Sequence, residues 1–159
     1  VISAVDLVKG IGILAGLDII EVEGATGNWD TNFRGKADAA VKTLLDANDF
    51  VYVHMEAPDE CGHHGDIAKK VYSIEQVDGV AKRIADHLRA AGEDFCMLIL
   101  PDHPTPIARK THTSDPVPFL LYRSNEEHGN GAELFDEAHA AQTNLFLPRA
   151  CELMGAFLR

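Results

Sequence analysis

The sequence predicts an α/β fold: a mostly parallel sheet with helices on both faces, in a single domain over residues 1–159. Three observations carry this. Short apolar runs alternate with amphipathic stretches along the chain. The run at 95–100 is almost entirely apolar, as a strand covered on both faces requires. The two clearest strands each end in a polar, histidine-bearing loop, which is where open α/β sheets bind ligands.

Taken in order, residues 1–17 are apolar with small residues interspersed and fit either a helix or a loop. Residues 18–23 read as a short strand, and a turn-rich segment follows at 24–35. Ala37, Ala40, Val41, Leu44 and Leu45 recur at helical spacing, which predicts a helix over 36–46. Residues 50–55 are rich in β-branched and aromatic side chains and read as a strand. Residues 56–66 then form a polar loop. Ile67, Val71, Ile74, Val77, Ala81, Ile84 and Leu88 make one apolar stripe on a long helix, capped by Asp66 and stopped at Gly92. Strands are expected at 95–100 and 117–122, and two short helices at 132–141 and 147–158.

Bulk properties narrow the function classes. Apolar residues make up 46% and charged residues 25%, as in ordinary globular proteins. The net charge of −11 argues against nucleic acid as a partner, since phosphate backbones call for Lys and Arg. The same acidic excess suits metal cations. No apolar run approaches the roughly eighteen residues of a membrane span, so no membrane partner is expected. Three widely spaced cysteines, Cys61, Cys96 and Cys151, imply no paired disulfides, and a reducing cytoplasm is expected. Cys61 reads as a bystander thiol and Cys96 as core. The oligomeric state is not legible.

The candidate chemistry lies in three histidine-bearing loops. The first runs from Glu56 to Asp66 and holds Asp59 and His63. Four residues apart, they offer one carboxylate oxygen and one imidazole that a turn or a short helical arc aims at a single cation. The second holds Asp102 and His103 between Pro101 and Pro104, which fix the backbone around them. The third holds His112. Mixed carboxylate and imidazole donors suit Zn²⁺ or Mn²⁺, with Mg²⁺ the harder alternative. Taken singly, Asp59 also fits a turn opener, Asp102–His103 a strand-end turn, and His112 a hydrogen-bonded loop residue. Their shared placement at strand ends favours metal. His54 reads as packing or as support behind the ligands. His64, His87, His128 and His139 read as surface residues.

Three segments, Glu56-Ala57-Pro58-Asp59-Glu60-Cys61-Gly62-His63, Leu100-Pro101-Asp102-His103-Pro104-Thr105-Pro106 and Thr111-His112-Thr113-Ser114-Asp115-Pro116-Val117-Pro118, resemble the archaeal-type cofactor-independent phosphoglycerate mutases of the alkaline phosphatase superfamily. Ile2-Ser3-Ala4-Val5-Asp6-Leu7, Lys9-Gly10-Ile11-Gly12 and Glu21-Val22-Glu23-Gly24-Ala25-Thr26-Gly27 resemble them too. The resemblance implies an alkaline phosphatase-like fold, present in part. It implies two divalent ions, one held by Asp59, His63 and His112, the other by Asp102 and His103 with an aspartate and a nucleophilic serine expected ahead of Val1. The implied reaction interconverts 3-phosphoglycerate and 2-phosphoglycerate through a phosphoserine, with a phosphorylated small molecule as substrate. Lys9 then becomes a phosphate contact, a solvated lysine beside a glycine being its other reading. Ser3, Ser73, Ser114 and Ser124 do not match the nucleophile motif, so the chain is expected to be the metal-binding portion of a longer enzyme, or a truncated homologue. A phosphomonoesterase or another phosphotransferase on the same site, and a non-catalytic metal-binding domain, are the alternatives.

Overall fold

Helix α1 spans Asp6–Leu14. In the computed structural model, which describes residues 1–158, Val1 and Ile2 ahead of it bond to neighbouring extended segments. Val1 donates to the Asp18 carbonyl (2.6 Å) and accepts from the Ile20 N–H (2.9 Å). Ile2 donates to the Tyr52 carbonyl and accepts from the His54 N–H, both at 2.9 Å, making an isolated parallel bridge to Val53. Ser3 then ends the extended stretch, its hydroxyl accepting from the Val5 N–H at 3.0 Å.

Residues 18–23 and 50–55, expected as strands, carry no ladder, and the parallel pairing among the described residues is the isolated Ile2–Val53 bridge. The laddered sheet is instead two-stranded and antiparallel.

Two compact units make up the chain: residues 1–92 with 105–111, and residues 93–104 with the chain from 112 onward. In the first, α2 (Phe33–Leu45) and α3 (Ala57–His64) both pack on α4 (Ile67–Ala91). The core of this unit gathers Val1, Ile2, Phe33, Ala37, Ala40, Val41, Ala57, Cys61, Val80, Ile84, Ala85 and Leu88. Asp38 of α2 pairs with Arg83 of α4, and that guanidinium holds the Asp38 carboxyl below its ordinary range.

The apolar stripe of α4 is buried only in its second half. Ile67, Val71 and Ile74 are 64%, 51% and 52% exposed, whereas Val80, Ile84, Ala85 and Leu88 are buried. At the N-terminal end the buried position is Ser73, 3.8 Å from the Cys61 thiol of α3. The contact face is thus offset by one residue where α3, rather than α2, supplies the neighbour.

Both ends of α4 are as the sequence predicts. Gly92 adopts φ 78°, a left-handed conformation that glycine takes without steric cost. At the other end, the Asp66 carboxylate accepts from the Lys69 N–H at 3.0 Å. That N–H, and then the Lys69 ammonium, hold the Asp66 carboxyl below the ordinary carboxylate range. Its contribution is therefore present above its unfolded value and is lost as pH falls through its depressed folded value. Asp66→Ala is expected to lower the melting temperature by a few degrees at pH 7 and to leave it unchanged once both states are protonated. Thermal denaturation followed by circular dichroism at neutral and strongly acidic pH checks this.

In the second unit, β1 (Cys96–Ile99) pairs antiparallel with β2 (Leu120–Arg123), Cys96 opposite Arg123 and Ile99 opposite Leu120. Ser124 closes the open end of the pair. Its N–H donates to the Phe95 carbonyl at 2.9 Å, and its hydroxyl accepts from the Phe95 N–H at 2.8 Å. Helix α5 (Glu137–Gln142) is capped by Asp136, and α6 (Cys151–Phe157) is tied to β2 by Arg123, which donates to the Ala156 carbonyl at 2.7 Å. Both helices are shorter than predicted; α5 starts where Asp136 supplies a capping carboxylate, and α6 starts without a side-chain cap. Cys96 is half-buried rather than core, and the three cysteines are free. No helix among the described residues is long and apolar enough to cross a membrane.

Candidate metal centre

The segment expected to be a loop after residue 55 is helix α3, and its sequence explains why. Pro58 stands in the first turn, where its missing N–H costs nothing. Asp59 and Glu60 lie at the positive end of the helix dipole, and His63 and His64 at the negative end. Gly65 takes φ 72° and closes the helix with bonds to the Cys61 and Gly62 carbonyls. These signals were present in the sequence, and they turn the four-residue spacing of Asp59 and His63 into a shared helix face.

On that face, Asp59 Oδ2 lies 3.3 Å from His63 Nε2. The other imidazole nitrogen, Nδ1, lies 3.1 Å from the Lys110 carbonyl. A carbonyl only accepts, so Nδ1 donates to it, and Nε2 is the ring nitrogen that faces Asp59. The other carboxylate oxygen, Oδ1, accepts from the Thr105 hydroxyl. Both side chains are about a quarter to a third exposed, 25% for Asp59 and 33% for His63.

Donor chemistry and spacing fit a divalent cation. Two ligands about 2.0–2.1 Å from a tetrahedral ion sit about 3.3 Å apart. The Asp59–His63 separation has this value. A backbone carbonyl behind a ligating imidazole is the usual support for such a ligand.

Behind α3 lies a buried polar group that the sequence reading did not single out. Lys36 is 1% exposed, and its ammonium donates to the His54 carbonyl at 3.1 Å. Burial pushes its pKa down, while the Glu56 charge pushes it up. Glu56, the residue just before α3, has its carboxyl raised by burial and then by the nearby charges of Glu60 and Asp59, with Lys36 opposing. His54 also faces Ser3, its Nδ1 lying 3.2 Å from the Ser3 hydroxyl. The sequence signal for Lys36 was its place on the Ala37–Ala40–Val41 face of α2, which points to burial.

In the second unit the remaining candidates come together. Asp102 Oδ2 lies 3.3 Å from His103 Nε2, the same separation as in the first pair. Asp102 Oδ1 accepts from the His103 N–H at 3.0 Å, which folds the side chain back over its neighbour. Two adjacent residues on an extended chain point apart; this local turn is what lets them meet. His103 and His112 stack with ring centroids 3.7 Å apart, and the Thr113 N–H bonded to the Pro104 carbonyl (3.1 Å) holds the two loops together.

Lys9 lies on α1 and forms an ion pair with both oxygens of Glu21, at 2.8 and 3.0 Å. The resemblance alone named it as a phosphate contact, and in this structure its partner is that carboxylate.

Comparison with known proteins agrees with a metal centre. The chain is 51% identical over its whole length to the 2,3-bisphosphoglycerate-independent phosphoglycerate mutase of Methanosarcina barkeri, of which it covers 40%. It is 47% identical to a protein of Geobacter sulfurreducens named as a probable enzyme of the same kind, covering 99% of this chain and 39% of that one. The chain therefore spans less than half the length of these curated relatives. Among solved structures, the PH0037 protein of Pyrococcus horikoshii superposes with a TM-score of 0.86 at 32% identity, covering 99% of this chain and 46% of that one. Residues 1–147 match the Metalloenzyme superfamily as a whole, and with the paired carboxylate–imidazole sets described above, the chain belongs to that superfamily.

Proposed function

We propose that Asp59, His63, Asp102, His103 and His112 serve one divalent-metal centre of two ions, Mn²⁺ or Zn²⁺, within a longer phosphoglycerate mutase. Asp59, His63 and His112 would hold one ion, and Asp102 and His103 would hold the other together with groups outside residues 1–159. The donor types support this reading, since each set mixes carboxylate oxygen with imidazole nitrogen. Divalent ions held there would supply polarisation of phosphoryl oxygens and charge stabilisation for an in-line displacement. The residues of this chain hold and orient: the Lys110 carbonyl sets the His63 tautomer, and Thr105 holds the Asp59 carboxylate.

The activity assigned to the longer protein is interconversion of 3-phosphoglycerate and 2-phosphoglycerate through a phosphoserine, a step of glycolysis, on a nucleophile outside residues 1–159. The observation that carries it is the 51% identity, over the full chain, to a protein named for this activity. The parallel, alkaline phosphatase-like sheet expected from the sequence belongs to this proposal, with the Ile2–Val53 bridge as its first rung. Three free cysteines suit a reducing compartment.

The test uses the full-length natural protein with Mn²⁺ and no 2,3-bisphosphoglycerate. Formation of 2-phosphoglycerate in a coupled assay, abolished by chelation, is the expected result. Release of inorganic phosphate without isomerisation contradicts the mutase reading and favours a phosphomonoesterase.

A further inference from the structure

One short strap of chain touches both ligand-bearing side chains of α3. It starts at Thr105, which is 5% exposed, and its turn is closed by the Arg109 and Lys110 N–H groups bonding to the Pro106 carbonyl, each at 2.9 Å. At the near end, the Thr105 hydroxyl donates to Asp59 Oδ1. At the far end, the Lys110 carbonyl accepts from His63 Nδ1 at 3.1 Å. The strap is pinned against the helix from both sides. Lys70 of α4 donates to the Thr105 carbonyl at 2.6 Å, and Gly62 of α3 leaves room for that carbonyl, since a Cβ there would lie 2.6 Å from its oxygen.

We propose that Thr105 is a positioning residue of the metal centre, its hydroxyl fixing the Asp59 carboxylate so that Oδ2 faces His63 Nε2. This deepens the metal-centre reading above and rests on it. The physical argument concerns a soft torsion. The terminal torsion of an aspartate is broad and nearly two-fold, so an unsupported carboxylate samples orientations that carry both oxygens out of line with a ligand partner. An ionised carboxylate only accepts, so the Thr105 hydroxyl must spend its single proton on Asp59. The hydroxyl is itself held by burial and by the Lys70 contact to the carbonyl of the same residue. One hydrogen bond therefore sets the carboxylate plane, and Lys110 sets the imbalance between the two imidazole nitrogens. Without the first, Oδ2 is no longer held 3.3 Å from Nε2.

The test uses the full-length natural protein, with Co²⁺ as the probe, read by titration and by the visible ligand-field spectrum. Thr105→Val keeps the shape and removes the hydroxyl; Thr105→Ser keeps the hydroxyl and removes a methyl. Supports of this kind are worth about 10–100-fold in metal affinity. Thr105→Val is expected to weaken Co²⁺ binding by that factor and to change the spectrum, while Thr105→Ser binds as the parent does with the parent spectrum. Melting temperatures of the metal-free proteins establish that each variant is folded. Parent affinity and spectrum in Thr105→Val overturn the proposal, as does equal weakening in both variants, which would mark a packing effect. Failure of the parent protein to bind Co²⁺ at all overturns the metal-centre reading itself and this proposal with it.

Discussion

His63→Ala is expected to lower the affinity of the chain for Mn²⁺ or Zn²⁺ by about two orders of magnitude. Apparent binding energies of about 10–16 kcal/mol shared over four ligands amount to about 3 kcal/mol for each, or roughly a hundredfold. The loss should be a binding loss and not an unfolding. His63 is a third exposed on the helix surface, and α3 keeps its packing on α4 through Ala57 and Cys61, both buried. His64→Ala is the matched control. It is the neighbouring imidazole in the same last turn, its Nδ1 is 2.9 Å from the Glu60 carbonyl, and it is exposed. Isothermal titration of both variants should show the loss in the first and parent affinity in the second. Equal loss in both would mean that the helix C-terminus, not the Asp59–His63 face, is what binds.

The second large effect is an absence of turnover. The 159-residue polypeptide is expected to form no detectable 2-phosphoglycerate from 3-phosphoglycerate, with Mn²⁺ or Zn²⁺ added. Transfer through an enzyme intermediate needs a nucleophile held in line with the phosphorus and the leaving oxygen. Three of the four serines are committed to structural contacts, and the fourth lies exposed in a loop. Ser3 is 3% exposed and faces His54. Ser73 is 0% exposed, behind Cys61. Ser124 closes the β1–β2 pair through Phe95. Ser114 is exposed in the loop after His112. Divalent ions polarise a phosphoryl group but do not themselves supply a serine nucleophile. A coupled assay for isomerisation, run beside a phosphate-release assay, checks this. Turnover that disappears in Ser114→Ala would show that this loop serine attacks, and the reading of a nucleophile outside the chain would fail.

Much of the candidate site was legible because carboxylate and imidazole donors announce themselves locally in the sequence. Asp59 and His63 stand four residues apart, a separation that becomes a shared face as soon as the segment is helical, and Pro58 and Gly65 mark that helix at both ends. Asp102 and His103 are bracketed by prolines, which hold the backbone in a turn rather than an extended run. What escaped was the support behind these residues. Thr105 is an ordinary threonine in a proline-rich stretch, and its bond to Asp59 spans 46 positions along the chain. Lys36 reads as a solvated lysine unless the face of α2 is drawn, and its burial depends on His54, 18 positions away.

The sheet was the least legible part. Residues 18–23 and 50–55 have the β-branched composition of strands, yet a strand exists only where a neighbour supplies a ladder. Here Val1 and Ile2 give these segments isolated backbone bonds and a single bridge, not a ladder. Composition encodes the propensity of a segment and says nothing of the length of its partner. The same limit applies to α4, whose stripe at Ile67, Val71 and Ile74 is regular in sequence but exposed in the fold.

The account rests most heavily on the Asp59–His63 face of α3 as a ligand pair, and anomalous diffraction from crystals of the chain grown with Zn²⁺ tests it most directly. The predicted result is an anomalous peak at the zinc edge about 2.0–2.2 Å from both Asp59 Oδ2 and His63 Nε2. Zinc bound at other histidines, with Asp59 and His63 still joined to each other and no peak beside them, would contradict it.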